Sequence, residues 1–299
     1  ALTTAQVVVM QAADLVQLDT AQIRAMTTAQ ISALTVDAQV TALTSTQLNA
    51  MTTAQVASLT TAQMASLSND QIAKLGTQQV QSLTTTQLNA LSADQVAAVE
   101  TADIAALNTM QVAALSSLQI GALTTNQLAN GVTTDQVVAL TTAQLPSLKT
   151  AQIAGLTTGQ VVSLTTDQFS TLTTAQLSLM TTAQIAVVET DDLQALTTAQ
   201  LVGLSSSQVA GIEAGDLDEL STAQVRALSN TALAGLTTAQ VAGLTTTQVT
   251  ALSALQMKAL SSTQLQALTT AQAAVLTTAQ IQSLTAAQVS GMDTADIAQ

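Results

Sequence analysis

The sequence predicts an all-α fold, a solenoid of short helices in which the repeating unit is only eight residues long. Three observations support this fold class. An aliphatic residue recurs at a spacing of eight, each repeat carries the signals that start a helix, and charged residues are sorted between the two ends of each repeat. Arrays of this kind bury their apolar residues between neighbouring repeats. We therefore expect residues 1–299 to form a single continuous repeat array without separate domains.

An aliphatic anchor marks the start of each repeat, which we call an octad. The 37 anchors are separated by 34 spacings of eight residues and two of nine. They lie at Leu2, Met10, Leu18, Met26 and Leu34, then every eight residues from Leu43 to Leu123 and from Val132 to Met292. Numbering each octad from its anchor gives the consensus Leu-Thr-Thr-Ala-Gln-Val-Ala-Ala for positions 1–8, so that about 37 octapeptide repeats fill the chain.

Positions 1–6 of the octad together form a helix start. A Thr at position 2 can act as the N-cap and accept from the amide of position 5, while Gln at position 5 reaches back to the amide of the cap, which is a capping box. The aliphatic residues at positions 1 and 6 then flank the cap as a hydrophobic staple. Position 8 is mostly Ala, Ser or Gly, small residues that suit a helix end. Each octad is therefore predicted to contain one short, capped helix.

The charged residues support the same register independently. Of 18 acidic residues, 16 lie between the cap and position 5, and the exceptions are Asp218 and Glu219. Four of the five basic residues, all except Lys149, lie at positions 7 and 8. Acids at helix N-termini and bases at C-termini are favoured by the helix dipole. One helix per octad explains this distribution.

Two other architectures compete with this prediction. In one continuous helix, an eight-residue repeat would turn the apolar stripe by about 80° per repeat, so that no partner could follow it. Pro146 also argues against an unbroken helix. A β-solenoid is the remaining alternative, encouraged by Thr and Val, but it leaves Gln at position 5 and the sorted charges unexplained. We expect the short helices to stack into a superhelical rod, because helices of this length are unstable alone.

The composition excludes several functions. The chain has no His and no Cys, one Phe, and neither Trp nor Tyr. It lacks a glycine-rich phosphate loop and a Ser beside a plausible base, so we expect no enzymatic activity and no resident cofactor. A net charge of −13 with five basic residues disfavours nucleic acid and anionic membrane surfaces as partners. The sequence contains no apolar run of the length that membrane insertion requires.

A minority of octads carries a pair of acidic residues. These are Glu100 with Asp103, Glu189 with Asp192, Glu213 with Asp216, and Asp293 with Asp296. Two carboxylates three residues apart share a helical face, and oxygen ligands suit Ca²⁺. The calcium candidates therefore lie between residues 189 and 219, namely Glu189, Asp191, Asp192, Glu213, Asp216, Asp218 and Glu219. The alternative interpretation is that the acids only replace the usual capping residues.

Two strings illustrate a resemblance to known proteins. Leu-Thr-Thr-Ala-Gln-Val at residues 236–241 and Leu-Thr-Thr-Asp-Gln-Phe at residues 164–169 resemble the threonine-rich short-repeat arrays of very large secreted bacterial surface proteins of the adhesin type. The resemblance extends over the whole chain and is compositional, so it transfers no functional residue. It implies an extracellular, cell-surface or biofilm setting.

The two ends of the array and its regular surface suggest how it functions. Neither end shows a polar capping repeat, which solenoids normally have. We therefore expect either a longer array or copies that stack end to end, a contact that generates open filaments. The leading hypothesis is an extracellular filament or stalk for spacing, adhesion or biofilm matrix. The alternative is a binding module whose regular Thr or acidic ladders engage ice, calcium or a polysaccharide.

Overall fold

A computed structural model describes residues 2–291 and confirms the all-α prediction. These residues contain 34 short α-helices and no β-strand, so the β-solenoid alternative is wrong for this part of the chain. The chain divides after Leu148 into two compact units. The octad repeat continues through both units, and the expectation of one continuous array remains a prediction for the whole chain.

The first unit, up to Leu148, contains 16 α-helices, one π-helical turn and one 3₁₀ turn. The α-helices are Thr4–Val8, Ala12–Val16, Thr20–Arg24, Thr28–Ser32, Ser45–Ala50, Thr53–Ala57, Thr61–Ser66, Asn69–Ile72, Thr77–Gln81, Thr85–Ala90, Ala93–Ala98, Thr101–Ala106, Thr109–Ala114, Ser117–Ala122, Thr125–Asn130 and Thr134–Ala139. The π-helical turn is Val36–Val40, and the 3₁₀ turn is Leu145–Ser147.

The second unit, from Lys149, contains 18 α-helices within the described residues. They are Thr150–Ala154, Thr158–Val162, Thr166–Ser170, Thr174–Ser178, Thr182–Ile185, Thr190–Ala195, Thr198–Leu201, Ser206–Gly211, Ala214–Asp218, Thr222–Ala227, Asn230–Leu233, Thr238–Gly243, Thr246–Ala251, Ala254–Ala259, Ser262–Gln266, Thr270–Ala274, Thr278–Ser283 and Ala286–Gly291. Each helix occupies one octad, as the capping signals predict.

The predicted capping box is present at the start of most helices. In helix Thr85–Ala90, the amide of Gln87 donates to Thr84 Oγ1 at 3.2 Å, and the amide of Thr84 donates to Gln87 Oε1 at 2.9 Å. The same reciprocal pair occurs with Thr, Ser, Asn or Asp as the cap, for example at Ser92, Asn108 and Asp19. Thus two amides of the first turn, which have no partner within the helix, are satisfied locally.

Positions 1 and 6 form the core, as the hydrophobic staple predicts. Beyond the first four octads, the anchors and the position 6 side chains up to Ala273 are buried, as with Leu59 and Met64. Phe169, at position 6, is fully buried. The apolar core is therefore a thin strip that runs along each unit.

The octads wind into coils that each contain more than three octads and fewer than four. A helix packs against the helix three octads further along the chain, as Ala93–Ala98 does with Ser117–Ala122 and Ala254–Ala259 with Thr278–Ser283. The bonds that the position 5 glutamines donate to the preceding coil span 28–32 residues. A helix therefore lies beside the junction between the octads that stand four and three places before it in the chain. Each coil thus contains about three and a half octads.

The two nine-residue spacings are accommodated in different ways. After Leu34, the additional residue converts the helix into the π-helical turn Val36–Val40. After Leu123, Gly131 follows helix Thr125–Asn130 as an additional residue. A Cβ on Gly131 would lie 2.6 Å from the backbone oxygen of Gln127 and 2.8 Å from that of Thr101, so glycine is required there by close packing.

The small residues at position 8 have a physical reason that differs from the predicted helix-end preference. No described residue, glycine included, has a positive φ, so these glycines do not form left-handed caps. Instead, a Cβ on Gly203 would overlap Thr174, and one on Gly235 would overlap Ser206, in both cases across the boundary to the preceding coil. In these two octads position 8 is glycine because one coil approaches the next closely there, whereas a Cβ on Gly243 would make only ordinary contact with Ala214.

Candidate functional site

A row of buried glutamines connects the coils, and we call it the glutamine ladder. In residues 2–291 most position 5 side chains are Gln, and from Gln30 onward these glutamines are between 1% and 8% exposed. Glutamine is usually found at protein surfaces, and a buried amide must find partners for its polar atoms. A continuous buried row therefore requires a matching row of donors and acceptors.

Each amide of the ladder makes bonds in two directions. In Gln87, Oε1 accepts from the cap amide of its own helix, while Nε2 donates to the backbone oxygens of Val56 at 3.0 Å and Leu59 at 2.7 Å in the preceding coil. These acceptors are position 6 of one octad and position 1 of the next. The same bonds recur at Gln47, Gln63, Gln95 and Gln127 in the first unit and at Gln184, Gln208, Gln240 and Gln272 in the second.

The ladder makes local folding and coil stacking mutually dependent. One side chain starts its own helix and also binds the end of a helix in the preceding coil. Every ladder acceptor is a backbone oxygen, so the bond is independent of the side chains at that place. A net gain of about 0.5–1.5 kcal/mol is typical for one such hydrogen bond. Repetition in successive coils provides a large total from individually small contributions.

The acidic octads replace the ladder bond with a different one. Thr77 Oγ1 donates to Asp103 Oδ1 at 2.7 Å, Thr166 donates to the Asp192 carboxyl, and Thr190 Oγ1 donates to Asp216 Oδ1. In each case Asp stands at position 5, and the donor stands at position 3 of an octad in the preceding coil. An ionised carboxylate only accepts hydrogen bonds. In these octads the donor therefore lies in the preceding coil and the acceptor at position 5, which is the reverse of the ladder bond.

Burial controls the protonation of two of these carboxyls. Asp103 is 3% exposed and Asp192 is 4% exposed. Burial raises the pKa of Asp103, the bond from Thr77 lowers it, and Glu100 raises it again. Burial likewise raises the pKa of Asp192, against a lowering by Thr166, with further increases from Glu189 and Asp191. Both carboxyls therefore retain a proton to higher pH than an ordinary aspartate.

The calcium candidates are dispersed over two neighbouring coils. Glu189 and Asp191 lie near Asp192 in one helix start, whereas Asp218 and Glu219 lie at the end of helix Ala214–Asp218. Asp218 Oδ1 is buried and has no hydrogen-bond partner. Within residues 2–291, no three acidic side chains form a group that could hold a metal ion. The acid pair Asp293 and Asp296 lies outside the described residues.

The ladder is the functional feature that sequence analysis missed. The capping box explained why Gln occupies position 5, and it left the Nε2 atom without a role. The Thr residues at position 2 have the predicted role, since their hydroxyls accept from helix amides. Glu189 and Glu213, at the N-cap, make no side-chain capping bond.

The repeat has a counterpart among known protein families. The ALTTAQ repeat matches residues 7–45, 37–77, 69–101, 96–130, 132–166, 185–213, 209–246 and 217–254, which together span more than half of the chain. The chain belongs to the ALTTAQ repeat family. The name reproduces the sequence from the end of one octad to position 5 of the next, so the matched segments contain the anchor, the cap and the ladder glutamine.

Other comparisons give less information about the ALTTAQ repeats. No curated protein matches the chain. Among solved structures, the chain is similar to the leucine-rich repeat-containing protein LegL7 from Legionella pneumophila, with 9% identity over 75% of this chain and 78% of that one and a TM-score of 0.22. No helix within residues 2–291 is long and apolar enough to cross a membrane.

One polar cleft opens on the surface of the first unit of this ALTTAQ array. It has a volume of about 460 Å³ and runs across successive coils. Its lining residues are Arg24, Asn49, Ala50, Met51, Thr52, Thr53, Gly76, Thr77, Gln78 and Gln79. Arg24 is the one charged residue among them. Between Ile72 and Leu115, the apolar core encloses a void of only about 10 Å³.

Proposed function

We propose that this ALTTAQ array is a structural, non-enzymatic element of an extracellular filament or stalk at a bacterial surface, as an adhesin scaffold or a component of biofilm matrix. The observation that carries the proposal is the glutamine ladder. It bonds each coil to the preceding one through backbone oxygens, so coils can be added without a new recognition surface. A repeat protein with this architecture is suited to spacing and to bearing load.

Addition of further coils is part of the proposal. A ladder bond needs only a glutamine donor at position 5 and backbone oxygens at positions 6 and 1 of the preceding coil. Ordinary octads contain both the donor and the acceptors. A second copy docked end to end, or further octads of a longer array, would complete the same bonds.

Mechanical unfolding of single molecules tests the load-bearing role. A chain held by ladder bonds should release about one coil at a time, and each coil of 28 residues should add roughly 100 Å of contour length. Unfolding of the whole chain in one rupture would contradict the proposal. The double variant Gln47→Met/Gln208→Met should lower the rupture force, whereas replacing the exposed Gln266 with Met should leave it unchanged.

Imaging tests the filament and its location. Electron microscopy of the purified chain should show filaments whose length increases with protein concentration, and compact particles at all concentrations would exclude end-to-end assembly. Protease treatment of intact source cells should remove the protein if it lies at the surface. The alternative of a binding module for ice, calcium or polysaccharide remains a prediction, which thermal hysteresis and calcium-dependent melting would test.

A further inference from the structure

The ladder is interrupted where aspartate replaces glutamine at a buried position 5. This occurs at Asp103 and Asp192, in the octads anchored at Val99 and Val188. By the geometry of the other ladder bonds, a glutamine in place of Asp103 would donate to the backbone oxygens of Ile72 and Leu75. Because an ionised carboxylate has no donor, these oxygens receive no ladder bond from Asp103.

A single hydroxyl bond takes the place of the ladder bonds. Thr77 donates to Asp103, and Thr166 donates to Asp192, across the same boundary between coils. The helices concerned, Thr101–Ala106 and Thr190–Ala195, also lack a side-chain capping bond at Glu100 and Glu189. At these two places an ionised array therefore has fewer hydrogen bonds both within the octad and between coils.

We propose that these two octads are proton-sensitive joints, meaning coil-to-coil contacts that tighten when Asp103 and Asp192 take up a proton. A neutral carboxylic acid has one acceptor oxygen and one O–H donor. The glutamine amide has the same combination at the other octads. Protonation also removes a charge from a position that is withdrawn from water, where a charge is costly.

The charged groups around Asp103 oppose its ionisation. Its own helix start contributes Glu100, whereas the two helices packed against it, Thr77–Gln81 and Thr125–Asn130, contain no charged residue. Lys74 lies 3.9 Å from Glu100, and both side chains are mostly exposed. An exposed pair at this distance is weak and leaves the buried carboxylate without a counter-charge.

The surroundings of Asp192 are more acidic. Glu189 and Asp191 belong to its own octad, and the packed helix Thr166–Ser170 contributes Asp167. The following coil adds Asp216, which accepts from Thr190 of the same helix as Asp192, and also Asp218 and Glu219. None of these elements contains a Lys or Arg. Protonation of Asp192 therefore reduces its repulsion from these acids as well as the cost of the buried charge.

The sign of the pH effect follows from the raised pKa of both carboxyls. A folded-state pKa above the ordinary value of 3.8 means that the folded protein binds the proton more tightly than the unfolded chain. The stabilisation is complete below the ordinary pKa and is lost as the pH rises through the folded-state pKa. The joints should therefore be tight in mildly acidic surroundings and looser at neutral pH.

Hydrogen exchange of the full chain tests the proposal at the joints themselves. Protection factors of residues 72–75 and 161–164, corrected for intrinsic exchange rates, should be compared at about pH 4 and about pH 7. We expect the wild type to gain about tenfold protection in these segments on acidification, which corresponds to one hydrogen bond. In Asp103→Gln/Asp192→Gln, we expect high protection at both pH values.

Two further variants keep the test decisive. Asp103→Asn/Asp192→Asn removes the titrating groups with little change in size, so its protection in these segments should no longer depend on pH even if glutamine does not fit. Asp135→Gln replaces an exposed acid at position 4 and should retain the wild-type pH response at both joints. The proposal is overturned if the wild-type segments show no pH dependence, or if the Asn variant keeps it.

Discussion

Nε2 of Gln87 donates to the backbone oxygen of Leu59 at 2.7 Å, while Oε1 of the same side chain accepts from the backbone amide of Thr84. One amide group thus fixes the start of its own helix and holds the coil below. Helices of four to six residues are too short to be stable alone, so their formation depends on this kind of shared contact. The stability of the array should therefore respond strongly to changes at position 5.

Replacing a ladder glutamine should destabilise the array far more than replacing an exposed one. Gln264→Met retains the length of the side chain but removes the bonds to Ser261, Leu233 and Leu236. Buried groups left without partners cost about 1–3 kcal/mol. The midpoint of urea unfolding, followed by circular dichroism, should fall accordingly. Gln266→Met, at an exposed position of the same helix, is the control and should leave the midpoint nearly unchanged.

The N-cap should make a smaller, local contribution. Thr84→Ala removes the hydroxyl that accepts from the amide of Gln87, and such a loss typically costs about 1 kcal/mol. Chemical denaturation would measure this loss of unfolding free energy, and thermal unfolding would measure the accompanying fall in the melting temperature. Thr85→Ala alters the adjacent exposed position 3, whose hydroxyl does not cap the helix. Equal losses in the two variants would contradict the assigned role of position 2.

Adding a methyl group to Gly235, at position 8 of its octad, should separate neighbouring coils. In Gly235→Ala, the new Cβ would overlap the backbone oxygen of Ser206, which cannot move as a flexible side chain would. Overpacking of this kind costs about 1–3 kcal/mol. Gly215→Ala should have the opposite effect, since nothing lies within 4 Å of the Cβ that the substitution adds. That variant should be stabilised by about 0.4–1 kcal/mol, because alanine restricts the unfolded chain.

A new acidic octad can be made from an ordinary one. Gln111 donates to the backbone oxygens of Gln81 and Leu83, and Thr85 stands at position 3 in the preceding coil, where Thr77 stands relative to Asp103. We expect Gln111→Asp to lower the melting temperature at neutral pH, and we expect part of the loss to be recovered in acid as the buried carboxyl is protonated. Met110→Asp places the same charge at the neighbouring exposed position. A similar pH response in both variants would show that burial at position 5 is not responsible.

The helix starts could be predicted because their signals are local. Thr at position 2 and Gln at position 5 act within one turn, so Thr84 and Gln87 are recognisable in any octad. The ladder is not local, since the acceptors of Gln87 lie in another coil and are backbone atoms without a sequence signature. Glutamate would complete a capping box equally well, yet it never occurs at position 5. The preference for glutamine over glutamate indicates that the side chain at position 5 must also donate a hydrogen bond.

The acidic octads show what the sequence does not reveal about position 5. In the sequence, two carboxylates three residues apart share a helical face, which suits calcium ligands, or they replace the usual capping residues. In the structure, Asp103 faces the preceding coil and Thr77, whereas Glu100 is exposed beside Lys74. The members of that pair therefore have different surroundings.

Because the ladder acceptors are backbone oxygens, the array can tolerate the duplication or deletion of single octads. Duplication or deletion of one octad gives new acceptors only to the glutamines of the next coil, because each ladder bond spans about 28–31 residues, and these glutamines meet oxygens of the same kind at positions 6 and 1. Such a change needs no compensating substitution elsewhere. The number of octads can then change without loss of the ladder, and the length of the array changes with it in steps of a single octad.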